Sequence, residues 1–384
     1  MLLTEIGLSI PLFDRGAAGV PSATYLGIDL AMRADDYEHT IAARGGFESM
    51  RIGFTCDLDE AVDILSNWLM RSTVVYGPDV GIVWEGYLSE ISISLGGRKR
   101  SISLEKMYNS IRPRYSDDQG IGTTASVVSD ASSIATYGTK QLVVALGGSS
   151  LTAATNAATQ VLAKYKNPPQ TPSTEIATGA GGDVRVDLLF RGWYATLGWV
   201  LTSRTSTTFT ATNTQIGALI AASGVGIGVT NAFLSTSTAQ IGATGVSDTE
   251  YIAPLTPYQD KIEALVAQGD GVDRWVLMCL EGRLLTFRKW AGATPAIPTY
   301  VSPLGSHAVY TPDGSLVPPW EVRPDTMYQE IGLLDASPVS TAYDAATRQY
   351  VERVTCSVSG DRIGVTLEPA ASDSVDALLA RLSA

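Results

Sequence analysis

The chain has 384 residues, 45% of them apolar and 17% charged, and a formal net charge of -12. That much apolar material excludes a disordered polar chain, the excess of acids excludes a protein built to hold nucleic-acid phosphates on a basic face, and the length favours two or three packed units over one core. No apolar run reaches the ~20 residues needed to span a bilayer, and the opening MLLTEIGLSIPLFDRG, with Glu5 inside its apolar stretch and no basic leader, predicts neither a signal nor a transit peptide.

In chain order, residues 51–56 alternate Ile52, Phe54 and Cys56 with polar or small residues, the period of a half-buried strand. Asp57 then caps a helix with Glu60 in its first turn and an expected core face of Leu58, Ala61, Val62, Leu65, Trp68 and Leu69. Strands follow at 72–76 and 80–95, split by Gly77-Pro78-Asp79. Within the second, Val80, Ile82, Trp84 and Leu88 share one parity and Ile91, Ile93 and Leu95 the other, which predicts a bulge or sharp bend. Gly96-Gly97 with the basic run Arg98-Lys99-Arg100 reads as a solvated hairpin turn, leading into a strand through Ile102 and Leu104. A small barrel or sandwich over 1–115 is the expected first β domain.

Residues 116–135 are rich in Ser, Asp, Gly and Thr and read as a linker. A helix follows from Ser150, with Leu151, Ala154, Ala158, Val161, Leu162 and Tyr165 on one face and Asn167-Pro168-Pro169 as its stop. The expected middle segment is therefore 116–180, linker plus connecting helix. A second β domain over 181–384 opens with alternation at 183–190 and an aromatic-rich strand at 193–201. Inside it an α/β insertion is expected at about 213–290. Its helices lie near 213–223 and 257–268, the latter with Thr256 as cap, Pro257 at its first position and Gly269 past its end. A tight hairpin joins 273–280 to 283–290 around Glu281-Gly282. A last hairpin joins 350–359 to 361–368 around Gly360, and 372–382 reads as a short amphipathic helix. The fold class is mainly β with α+β insertions.

Residues for catalysis are sparse. Cys56, Cys279 and Cys356, odd in number and set in apolar strand-like segments, read as buried reduced thiols. His39, within Asp35-Asp36-Tyr37-Glu38-His39, reads as part of a solvated acidic turn and lacks a second strong metal ligand. Ser306-His307 lacks a Gly-x-Ser-x-Gly elbow, Gly224–Gly228 lacks dinucleotide-loop spacing and reads as a turn, and Gly269–Asp273 lacks the oxygen spacing of a calcium loop. No catalytic residue, cofactor or metal is assigned, and the chain is expected not to be an enzyme.

A more specific signal is the run Ser133-Ile134-Ala135-Thr136-Tyr137-Gly138-Thr139-Lys140, followed by a helix of about four turns that ends at Tyr165 and Pro168-Pro169. Before it stand Trp84-Glu85-Gly86, Met107-Tyr108-Asn109 and Arg114-Tyr115; after it stand Ile262–Gly269, Trp275 and Arg283-Leu284-Leu285. In this order the motifs resemble those of the tail-tip or baseplate hub family of tailed bacteriophages, and they span nearly the whole chain. The basic residue usual after Tyr-Gly is displaced from Thr139 to Lys140.

The resemblance implies two tail-tube-like β-barrel or sandwich domains in one chain, a connecting helix and a small α/β insertion. Trp84, Gly86, Tyr137, Gly138, Tyr165, Pro168, Trp275 and Arg283 would be its structural motif positions. It further implies a homotrimer whose six similar domains dock on a sixfold tube, with a tail-tube or distal-tail protein above and a tip or fibre protein below. Genomic DNA would pass through without specific binding, past acidic residues that repel its phosphates. Such a protein is made in the host cytoplasm and resides in the virion at the tail tip. Two other classes fit the composition: another virion assembly or receptor-binding tail protein and, third, a cell-wall hydrolase.

Overall fold

The computed structural model describes residues 3–17, 21–78, 81–116, 122–173, 184–202, 207–225, 234, 241–245, 247–251, 255–270, 275–289, 299–301, 308–310, 316–324, 327–331, 348–359 and 362–369. Strands β1 (Pro11–Arg15), β2 (Pro21–Asp29), β3 (Asp36–Ala42) and β4 (Arg44–Cys56) come first, then helix α1 (Leu58–Asn67) and strands β5 (Ser72–Gly77), β6 (Gly81–Leu95) and β7 (Arg98–Ser103). β3 stands where a solvated acidic turn is expected. Asp36 and Glu38 face solvent while Tyr37, His39 and Ile41 are buried, so a segment of polar appearance is a half-buried strand.

α1 is capped as its sequence predicts, Asp57 Oδ1 accepting from the Glu60 N–H at 2.8 Å. Its buried side is Ala61, Ile64 and Leu65, with Trp68 just beyond; Leu58 and Val62, expected in the core, are each 51% exposed. The predicted irregularity in β6 falls at Ser89. Leu88 pairs with Phe190 and Glu90 with Leu189, which leaves Ser89 as the extra residue, and its hydroxyl donates to the Leu189 carbonyl at 2.9 Å. That insertion moves the inward parity from Trp84 and Leu88 to Ile91 and Ile93.

Residues 122–135, expected as part of a linker, belong with the expected connecting helix to a small folded unit. It comprises β8 (Ser110–Ser116), β9 (Gly122–Thr124), β10 (Val128–Ser129), α2 (Ala131–Tyr137), β11 (Gln141–Gly148) and α3 (Leu151–Tyr165). β11 runs parallel to β8, and β9 and β10 pair antiparallel with it. α3 lays Ala158 and Leu162 on Ile111 within a core separate from the main one. Gly and Asp have low strand propensity, and here tertiary pairing overrides it. β12 (Gln170–Ser173) then pairs with β7.

β13 (Val184–Arg191), whose alternation is expected to open the second β domain, lies between β4 and β6 and pairs antiparallel with both. Val184, Val186, Leu188 and Phe190 are buried, as are Met50, Ile52 and Phe54 of β4. Alternation states which face is buried, not which strand is the neighbour. Residues 193–199, expected as a strand, are 3-10 helical. At Gly192 an added Cβ would lie 1.6 Å from the Phe47 carbonyl oxygen. Beyond it Trp193, Tyr194, Thr196, Leu197 and Trp199 are all buried.

β14 (Thr207–Ala211) and α4 (Thr212–Val225) follow, and β15 (Ser247–Tyr251) pairs back onto β14. α5 (Tyr258–Gln268) has Pro257 as its N-cap residue rather than its first helical one, and Gly269 closes it at φ +54°. β16 (Trp275–Leu280) and β17 (Leu284–Lys289) form the predicted hairpin, with three connecting residues rather than two, and β16 also meets β4 in parallel. β18 (Thr299–Val301), β19 (Ala308–Tyr310), β20 (Leu316–Val317) and β21 (Met327–Ile331) form a short ladder. β22 (Arg348–Ser359) pairs with β21, with β3 and, in the predicted hairpin, with β23 (Arg362–Pro369). Gly226–Gly228, Gly271–Asp273, Ser306-His307, Gly360 and the helix expected at 372–382 lie outside the described residues. One apolar cluster contains residues of β4, β6, β13, α4, α5, β16 and β17 together.

Candidate functional site

The motif residues gather at two junctions of the fold. At the first, the Trp84 ring is buried between Phe47 and Phe190, with centroids 6.2 and 6.5 Å away. Gly86 lies where β6 and the end of β13 meet most closely, since an added Cβ would sit 2.2 Å from the Arg191 carbonyl oxygen and 2.4 Å from the Trp84 ring. Between them Glu85 is buried and accepts from the Gly282 N–H at 2.9 Å, across 197 residues of sequence. Gly282 and Arg283 both adopt left-handed backbone, φ +68° and +62°, which turns the hairpin tip toward this carboxylate. Burial raises the Glu85 pKa, opposed by the Gly282 N–H and the nearby Arg283. At the other end of the hairpin Trp275 stacks on Phe287 with centroids 4.7 Å apart.

The second junction is built on Asn109. Its side-chain amide donates to the Gly138 carbonyl at 2.7 Å and to Ser133 Oγ at 3.2 Å, and its Oδ1 accepts from the Lys140 N–H at 2.8 Å. Ser133 Oγ donates in turn to the Lys166 carbonyl, and Lys166 Nζ reaches Asp130, the cap of α2, at 2.9 Å. Gly138 ends α2 at φ +81°. The Tyr165 carbonyl accepts from the Tyr108 N–H at 2.8 Å, and Pro168 is buried beyond it. Tyr137 packs on the main core with Arg15 5.9 Å above its ring. Lys140 is buried with Nζ donating to the Leu104 and Glu105 carbonyls, both at 2.7 Å, between the Tyr108 and Trp199 rings at 5.2 and 5.5 Å. Burial lowers its pKa to about 8.

A third feature has no counterpart among the motif residues. The outer faces of β3, β4, β13, β6, β7 and β22 border a polar cleft of about 520 Å³, lined by Asp36, Glu38, Glu90 and Asp187 against Arg51, Lys99 and Arg185 among others. Arg185 lies over Gly53 and bonds Asp35, Asp36 and Asp187 at 3.0, 2.6 and 3.2 Å. Outward alternation along β13 is the sequence signal for Arg185 and Asp187. The other two partners of Arg185, Asp35 and Asp36, lie at the start of β3, a strand that the sequence does not announce. The cleft is mixed in charge and largely self-neutralised.

Burial disfavours the charged forms of Tyr37, His39 and the thiols. Tyr37 Oη and His39 Nδ1 lie 2.7 Å apart, and burial pushes His39 down to about 3, the Arg323 charge acting in the same direction. Burial raises all three thiols, Cys356 to about 12, and none is in a disulfide. Among the described residues no group of three or more His, Cys, Asp or Glu side chains is placed to hold a metal ion. No helix among them is long and apolar enough to cross a membrane.

No family model matches the sequence, and no curated protein does. Among solved structures, the chain is similar to the 43 kDa tail protein of prophage MuSo2 from Shewanella oneidensis, with 8% identity, a TM-score of 0.43, and coverage of 96% of this chain and 99% of that one. It is also similar to the tail protein from Neisseria meningitidis MC58, with 8% identity, a TM-score of 0.44, and coverage of 96% and 97% respectively.

Proposed function

We propose that the chain is a structural protein of a bacteriophage tail, a tip or baseplate hub that joins the tail tube to the tip and forms part of the DNA conduit. The observation that carries this reading is the arrangement of the resemblance motifs. Trp84-Glu85-Gly86 and the Arg283 turn meet through Glu85 and Gly282. The Ser133–Lys140 run, Asn109 and the end of α3 meet around one amide side chain. Motifs far apart in sequence thus serve as fasteners, as expected of a protein whose role is a shape held under load.

The reading is of a homotrimer with two tube-like β units per chain, lodged between a tube or distal-tail protein and a tip or fibre protein. In it β13 completes the first unit after the chain has made the small α/β unit. DNA would slide past surfaces whose charges are either acidic or already paired, as Arg185 is. Immunogold electron microscopy of virions with an antibody against this chain tests the reading. Gold at the tail end distal to the head is expected; gold along the tube, on the head, or on no part of the particle overturns it.

A further inference from the structure

Between Gln119 and Ala163 the sequence carries two charged residues, Asp130 and Lys140, against 17% charged over the whole chain. Neither is a free surface charge. Asp130 caps α2 and pairs with Lys166, and Lys140 is buried with its ammonium on two backbone carbonyls. Among the described residues of this stretch, Leu151 is 54% and Val127 41% exposed, and α3 shows solvent Thr152, Thr155, Asn156, Thr159 and Gln160 opposite its buried Ala154, Ala158 and Leu162.

The threonines on this face are less polar than their names suggest. Thr155 Oγ1 donates to the Leu151 carbonyl and Thr159 Oγ1 to the Thr155 carbonyl, each at 2.9 Å. With the hydroxyls turned back on the helix, Leu151, Thr155 and Thr159 lie at i, i+4 and i+8 on one side of α3. Well-behaved exposed surfaces carry about a quarter to a third charged residues, whereas the centres of protein interfaces are depleted of them.

We propose that this uncharged face, centred on α3, is where a second copy of the chain docks. The charge balance selects the occupant. Each copy carries -12, so most ways of joining two copies bring carboxylates together or strip water from them, and a face without ionised groups avoids both costs. A basic partner or nucleic acid would be met by charged groups, which α3 does not present before Lys164. The short side chains also let a facing helix approach to the ~8–10 Å interaxial distance of close packing. The inference rests on the self-assembly part of the function proposed above.

The test is solution mass at micromolar concentration for the wild type, Thr155→Arg, Thr159→Arg and, as a control on an exposed apolar position of α1, Val62→Arg. The wild type and Val62→Arg are expected as oligomers. The two α3 variants are expected to fall to monomers, with association weakened at least about tenfold and far-ultraviolet circular dichroism unchanged. Oligomeric α3 variants would overturn the docking face and leave self-assembly standing; a monomeric wild type would overturn both. If the arginine variants fail to fold, amide exchange of the wild type at high and low concentration decides the matter. Slower exchange across 151–163 at high concentration is expected, and the absence of any concentration dependence there overturns the proposal.

Discussion

Gly86 shows how a single position can be legible for the wrong reason. Its place in a tryptophan, acid, glycine pattern marks it in the sequence, but the physical cause is a missing Cβ at the crossing of β6 and the end of β13. Gly86→Ala must displace the Arg191 backbone or the Trp84 ring, and its cost is expected to exceed about 3 kcal/mol, beyond the usual range for overpacking. Gly147→Ala, with nothing within 4 Å of the added carbon, should stay within about 0.5 kcal/mol. Urea denaturation of both variants checks the contrast, and equal costs would contradict the close approach. His39 is the converse case. Its acidic neighbours suggest a wet turn, yet alternation along β3 puts those acids on one side and the imidazole on the other. Reading that required knowing that 36–42 is a strand, and the acids Asp35, Asp36 and Glu38 at its start, which are poor strand formers, hide it.

Elements with a strong local pattern were readable from the chain alone: α1 with its Asp57 cap, the β16–β17 and β22–β23 hairpins, the bulge in β6, and α3. What the pattern could not supply was neighbours. β13 and the buried turn at 193–199 depend on contacts with β4 and Phe47, distant in sequence, and β11 is hidden because its register is set by β8. The joint between β11 and the rest offers a pH test. Burial lowers Lys140 to about 8 from an ordinary 10.5, with Glu105 opposing. Below pH 8 both folded and unfolded chains hold this proton and the burial penalty is complete. Between 8 and 10.5 the unfolded chain binds more protons, so stability rises with pH. The three raised thiols act the other way above pH 9, because the folded chain then keeps protons that the unfolded chain releases. The clean readout is therefore a difference. Relative to Lys140→Met, the wild type is expected to gain on the order of 3 kcal/mol between pH 8 and 10.5, measured by urea denaturation at each pH. Parallel curves would mean that the ammonium is not desolvated.

At the scale of the molecule, the apolar cluster that joins β4, β6 and β13 also includes α4, α5 and the β16–β17 hairpin. Two units that merely touched would open separately; a shared core makes them open together. Native-state hydrogen exchange should give the β16 amides the same opening free energy as those of β4 and β6, and a markedly lower value for β16 would contradict a shared core. The position of β13 has a further consequence, for biosynthesis. β4 and β6 leave the ribosome long before the strand that lies between them, and at ~5–20 residues per second the interval from residue 95 to residue 191 lasts roughly 5–20 s. Throughout it the nascent chain carries two long unsatisfied strand edges, each a template for pairing with a neighbouring nascent chain. A truncated gene product ending near residue 115 would keep those edges permanently. Insolubility is the expected outcome for that fragment, checked by its partition between pellet and supernatant after expression beside the full chain.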